Sequence, residues 1–175
     1  LAAEERVSVV APGYSSDGLV ELLGQMGFDA VFIECEHGAV GWEDVEHMVR
    51  AAALAYVTPI VRVQSNDHST ITRALDRGAG GVQVPHINTR AQAEAAVRAA
   101  KFSPIGDRGY AGGRASLGVK GNFTVHANAA NGEGPRTAPN WDYRRPGLDR
   151  GLQPSLFIGG FEKGFASCMN SSCGW

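Results

Sequence analysis

The segment "FIECEHGAV", residues 32–40, ends an apolar run in Glu34, Cys35, Glu36, His37 and Gly38. Two carboxylates and an imidazole within four positions are the groups of general acid–base chemistry. Imidazoles change charge near neutral pH, so His37 is a candidate base, with Glu34 and Glu36 as its supporting carboxylates. The plainer alternative is a strand that has reached water, leaving His37 as a surface residue and Glu36 as a solvated carboxylate. A second charge interrupts an apolar run in "PIVRV", where Arg62 stands at the fourth position. An arginine there is costly unless it meets an anion. That anion is either a substrate carboxylate or enolate, or a neighbouring Glu34 or Glu36, and the two readings are compatible. Gln64, Gln83 and His86 also follow apolar runs; His86, in "VPHINT", reads as a loop residue.

The elements that must carry these groups alternate. Short β-branched or apolar runs at 7–12, 29–34, 59–63 and 80–85 predict strands. Segments 16–27, 42–55, 68–79 and 89–102 have apolar residues at helical spacing. The first opens on Ser16 or Asp17 as a cap and the third on Asp67 or Ser69. Alternation with short connections predicts parallel strands and right-handed crossovers. A (β/α) barrel and an open doubly wound sheet both fit, but no GxGxxG follows the first strand, which disfavours a dinucleotide fold. Polar residues gather at the C-terminal ends of the strands, where barrel active sites are built. Beyond residue 102 the periodicity fades, and only "PSLFIGG" (154–160) reads as another strand.

The chain has 175 residues, 16 basic and 18 acidic side chains and a formal net charge of -2. That balance calls for neither nucleic acid nor an anionic membrane as partner. No apolar run approaches the ~20 residues of a membrane helix, and no signal-peptide pattern opens the chain. Three cysteines, Cys35, Cys168 and Cys173, do not make a disulfide framework, so a reducing, cytoplasmic setting is expected. "SCMNSSCGW" lacks the spacing of a zinc site.

Taken together, "GFDAVFIECEHGAV" (27–40), "TPIVRVQSND" (58–67), "RALDRGAGGVQVPHINTRAQAEAAVRAAKFSPIGDRGY" (73–110) and, more weakly, "LFIGGFE" (156–162) resemble the HpcH/HpaI aldolase family. The resemblance implies a (β/α)8 TIM barrel and a class II aldolase that cleaves or forms 4-hydroxy-2-oxo acids through a pyruvate enolate. It implies a divalent metal (Mg2+ or Mn2+, with Co2+ as a further option) and a homo-oligomer. The small-molecule partners would be a 2-oxo acid and an aldehyde. It assigns His37 as base, Arg62 to the developing oxyanion and substrate, and Glu34 and Glu36 to support, Glu36 through a metal-bound water. Glu34 stands where the family usually has Asp. Asp76, late in the third predicted helix, lies far from His37 within one subunit; in the family the matching Asp reaches the histidine of a neighbouring subunit. Arg108, in "PIGDRGY", is placed by the resemblance in a loop near the catalytic face.

The family's metal is held by a Glu in a run like "VQxE" and an Asp in "FIGPxD". No such Glu run occurs between residues 116 and 154, and Glu162 of "FIGGFE" falls on the Asp position as candidate metal and substrate ligand. A whole barrel takes ~250 residues, and this chain offers about five strands. The expectation is one barrel-type domain, incomplete in this chain, with residues 1–115 well matched and 116–175 divergent or truncated. Two alternatives stay open: a related pyruvate-enolate enzyme, such as an oxaloacetate decarboxylase or a macrophomate-synthase-like enzyme, and a non-catalytic fragment without the metal site.

Overall fold

The computed structural model describes residues 7–111, 123–131 and 155–158. Five strands, β1 (Val9–Val10), β2 (Ala30–Glu34), β3 (Thr58–Arg62), β4 (Gly81–Val84) and β5 (Ser155–Ile158), form one sheet in the order β1-β2-β3-β4-β5. Every pairing is parallel. Helices α1 (Asp17–Gln25), α2 (Trp42–Leu54), α3 (His68–Asp76) and α4 (Arg90–Ala100) are the crossovers, and α5 (Phe123–Asn131) precedes β5. A doubly wound sheet reverses its strand order part-way. Here each strand lies beside its successor, which is the winding of a (β/α) barrel.

The face of the sheet that packs against the helices is apolar, while the opposite face carries the partly buried Phe32, Glu34, Arg62 and Gln83. Val31, Ile33, Val61, Val82 and Val84 are all buried. Helix starts follow their caps. Ser16 Oγ accepts from the Leu19 amide at 3.1 Å, and Asp67 Oδ1 from the Thr70 amide at 3.0 Å. Thr89 and Gln92 cap each other reciprocally, at 3.2 and 3.1 Å.

Two local expectations are corrected. In α1, Leu19, Leu22, Leu23 and Met26 stand at helical spacing, but the buried residues are Val20, Leu23 and Gly24, with Leu22 and Met26 exposed. A Cβ on Gly24 would come within 2.6 Å of the Ala55 Cβ, so the missing side chain lets α1 lie close to the end of α2. Helix α5 was not foreseen. Its sequence, FTVHANAAN, mixes β-branched residues and asparagines of modest helix propensity. Tertiary contacts hold it: Asn131 exchanges hydrogen bonds with the backbone of Phe102 at 2.9 and 3.0 Å. Phe123 and His126 of α5 form one ring cluster with Phe102 and Tyr110. No helix of the described residues is long and apolar enough to cross a membrane.

Candidate active site

Register places the first polar row. Glu34 pairs with Arg62 across β2 and β3, and Arg62 pairs with Gln83 across β3 and β4. Three polar side chains therefore sit level at the C-terminal ends of three adjacent strands. The turn after β2 adds Glu36 and His37. Glu34 Oε1 accepts from the backbone N–H groups of Glu36 at 2.8 Å and His37 at 3.1 Å, which fixes that turn. Gly38 is required for the same reason: a Cβ there would meet the Glu34 carbonyl oxygen at 2.7 Å.

Arg62 is the hub. Its NH1 lies 3.1 Å from Glu34 Oε2, while its Nε and NH2 both contact Glu36 Oε2. Such a forked contact suits a planar guanidinium. The Glu36 side chain is only 7% exposed, whereas Arg62 keeps 22% of its side-chain surface open. Burial pushes the Glu36 carboxyl upward in pKa. The Arg62 hydrogen bond and charge, with the nearby His37 and His86 imidazoles, outweigh it and hold the carboxyl below its usual value. His37 Nε2 stands 3.6 Å from Glu36 Oε2, with its side chain 69% exposed. Cys35, by contrast, faces the core, and burial, followed by the charges of Glu34 and Asp44, pushes its thiol up to about 12.

The structure thus brings together Glu34, Glu36, His37 and Arg62. It adds His86, whose Nε2 lies 2.8 Å from Glu36 Oε1. Nothing in "VPHINT" signals that contact, because it depends on how the chain turns after β4.

Asp76 ends α3, at the N-terminal end of the sheet, and so stands apart from His37. Its Oδ1 accepts from Arg108 NH2 at 2.8 Å. Arg108 therefore sits at this opposite end too, just past α4, and not beside the polar row of its own chain. Its side chain is 6% exposed, its guanidinium lies 4.6 Å from the Phe102 ring centroid, and its buried Nε meets no hydrogen-bond partner among the described residues. Burial lowers the Arg108 pKa, with Asp76 opposing the shift.

Glu162, Glu133, Asp142, Cys168 and Cys173 lie outside the described residues. Among the described residues no three His, Cys, Asp or Glu side chains converge to hold a metal. The two carboxylates nearest His37 are already engaged by Arg62.

The model of the HpcH/HpaI aldolase/citrate lyase family matches residues 10–133, a span that contains the whole polar cluster. The chain belongs to the HpcH/HpaI family. It is 40% identical to a 2-dehydro-3,6-dideoxy-6-sulfogluconate aldolase of Pseudomonas putida, over 55% of this chain and 38% of that protein. It is 39% identical to a 4-hydroxy-4-methyl-2-oxoglutarate aldolase of Chaetomium globosum, over 64% of this chain and 44% of that protein. Among solved structures, an HpcH/HpaI aldolase of Desulfitobacterium hafniense superposes with a TM-score of 0.69 at 27% identity. That match covers 75% of this chain and 51% of the other. The chain therefore spans roughly half or less of each relative. The parallel α/β sheet is of the TIM-barrel type seen in such HpcH/HpaI relatives.

Proposed function

We propose that the chain carries the enolate-handling half of an aldolase that cleaves or forms 4-hydroxy-2-oxo acids. The observation that supports this most is the cation of Arg62, held between Glu34 and Glu36 at the strand ends, with the exposed imidazole of His37 beside it. A guanidinium fixed by two carboxylates is preorganised, so it needs no rearrangement when negative charge develops nearby.

In the cleavage direction, His37 takes the proton of the C4 hydroxyl. The C3–C4 bond breaks and the aldehyde leaves. The electron pair comes to rest on the enolate oxygen, beside the partly exposed guanidinium of Arg62. A proton from solvent then adds at C3, His37 gives up its own to solvent, and the 2-oxo acid is released, with pyruvate the simplest product. Glu36 orients Arg62 and lies next to His37. Glu34 fixes the turn that presents both.

A divalent cation, Mg2+, Mn2+ or Co2+, belongs to this reading as the Lewis acid for the 2-oxo acid. The described residues do not form its site; Glu162 is the ligand proposed for it. Asp76, paired with Arg108 at the other end of the sheet, fits a contribution to the site of a neighbouring subunit in a homo-oligomer. A cytoplasmic location accords with the sparse cysteines.

The test is pyruvate release from a panel of 4-hydroxy-2-oxo acids, with and without added Mg2+ or Mn2+. Metal-stimulated release of pyruvate and an aldehyde in equal amounts is expected. Pyruvate and carbon dioxide from oxaloacetate alone would replace the aldolase with a decarboxylase.

A further inference from the structure

His86 does not behave as an ordinary loop residue. Its backbone adopts φ 58, a left-handed conformation uncommon outside glycine and costly for other residues. Two asparagine side chains hold it there: Asn66 Nδ2 donates to the His86 carbonyl oxygen at 3.2 Å, and Asn88 Nδ2 at 3.4 Å. The result is an imidazole whose Nε2 sits 2.8 Å from Glu36 Oε1, although the ring itself is 70% exposed.

Glu36 then has both oxygens engaged. Oε2 takes Arg62 and faces His37, while Oε1 takes His86. The groups around this carboxylate are Glu34 and His37 from its own strand end, Arg62 from β3 and His86 from the turn after β4. A carboxylate bonded through one oxygen alone can rotate about its last bond. One held on both sides, by the Arg62 fork at Oε2 and the His86 imidazole 2.8 Å from Oε1, keeps the Arg62 fork aligned and its distance to His37 fixed. Backbone strain held in place at a strand end is the pattern of a residue placed for a purpose.

We propose that His86 is a positioning residue of the site: through Glu36 Oε1 it fixes the carboxylate that aligns Arg62 and His37. The proposal rests on the enolate reading above for its consequence in turnover, and on the Glu36 contact alone for its structural part.

Three variants of the full chain separate its elements. His86→Gly relieves the left-handed strain and removes the ring. His86→Leu keeps the strain and removes the donor. His86→Gln keeps both the strain and an N–H at similar reach. The first readout is pyruvate formation from a 4-hydroxy-2-oxo acid. His86→Gly and His86→Leu are expected to lose on the order of tenfold in kcat, the scale of one lost polar contact to a charged group, with KM little changed. His86→Gln should recover most of that loss. Wild-type kcat in both His86→Gly and His86→Leu would overturn the proposal.

The second readout needs no activity. The Glu36 side-chain carboxyl, followed by carbon-13 NMR against pH, should titrate at higher pH in His86→Gly than in wild type. An unchanged midpoint would show that His86 does not hold Glu36, and would overturn the proposal whether or not the chain turns over substrate. A chain that releases no pyruvate but shows the midpoint shift would sink the enolate reading and leave the His86–Glu36 contact standing.

Discussion

Arg62 and Glu34 are register partners on adjacent parallel strands, and the NH1 of Arg62 lies 3.1 Å from Glu34 Oε2. The pairing of β2 with β3 thus sets a charge pair at the C-terminal end of the sheet without any loop. Glu36 extends the pair into a cluster of two carboxylates and one guanidinium, with an imidazole on either side.

Removing the cation should be felt twice. Arg62→Ala leaves Glu34 and Glu36 facing each other, and a loss of about 2 kcal/mol is expected from denaturant unfolding, below the full cost for a buried pair because Arg62 is partly open. Pyruvate formation should fall by roughly 10²–10³. Arg62→Lys should recover stability more than turnover, since an ammonium cannot reproduce the fork. Equal recovery of both would mean that only the charge matters.

His37 is exposed, so its side chain contributes little to folding. His37→Ala is expected to unfold within about 0.5 kcal/mol of wild type while losing aldol cleavage. A large stability change with activity retained would assign it a structural role instead.

The strand ends were legible because β2, β3 and β4 are short apolar runs that stop in charged or amide residues, and because Ser16 and Asp67 are strong helix caps. The alternation left a barrel and a doubly wound sheet both open, and the consecutive strand order comes from the structure. Two things were hidden. Helix α5 owes its place to Phe102 and Asn131, a tertiary contact invisible in a segment of Thr, Val and Asn. His86 reaches Glu36 only because the chain turns left-handed after Pro85, and single-residue φ is not encoded in a recognisable pattern when the residue is not glycine. Arg108 was misplaced for a related reason: its motif names a loop, but not the end of the sheet at which that loop lies.

Acid should weaken the cluster through Glu36. Its folded pKa lies below its unfolded value, because Arg62 and the imidazoles outweigh burial. The stability this supplies is complete above the unfolded value of about 4.3 and is lost as pH falls through the folded one. Wild type should therefore lose its advantage over Glu36→Gln across that acid range in denaturant melts. A gap that stayed constant down to pH 2 would contradict the cited direction.

The thiol of Cys35, raised to about 12 by burial and then by Glu34 and Asp44, should stay protonated and unreactive in the folded chain. Alkylation at pH 8, mapped by peptide mass spectrometry, is expected to modify Cys35 only after denaturant is added. Prompt labelling of folded protein would show that the end of β2 opens readily.

Asp76 and Arg108 offer a test of shared sites. Asp76→Ala strands a buried guanidinium and should cost about 3 kcal/mol. Asp76→Asn keeps an acceptor and should cost less. If a neighbouring subunit's site uses Asp76, mixing Asp76→Asn and His37→Ala chains should restore part of the activity that each lacks alone. No recovery on mixing would confine Asp76 to its pairing with Arg108.

The most direct measurement is exchange of the pyruvate methyl protons for deuterium, followed by NMR with added Mn2+, Mg2+ or Co2+, for wild type, His37→Ala and Arg62→Ala. Metal-dependent exchange in wild type that disappears in Arg62→Ala is the predicted result, since only a stabilised enolate can exchange those protons. Absence of exchange from folded wild-type chain under every metal, or exchange that persists undiminished in Arg62→Ala, would contradict the enolate role given to this cluster.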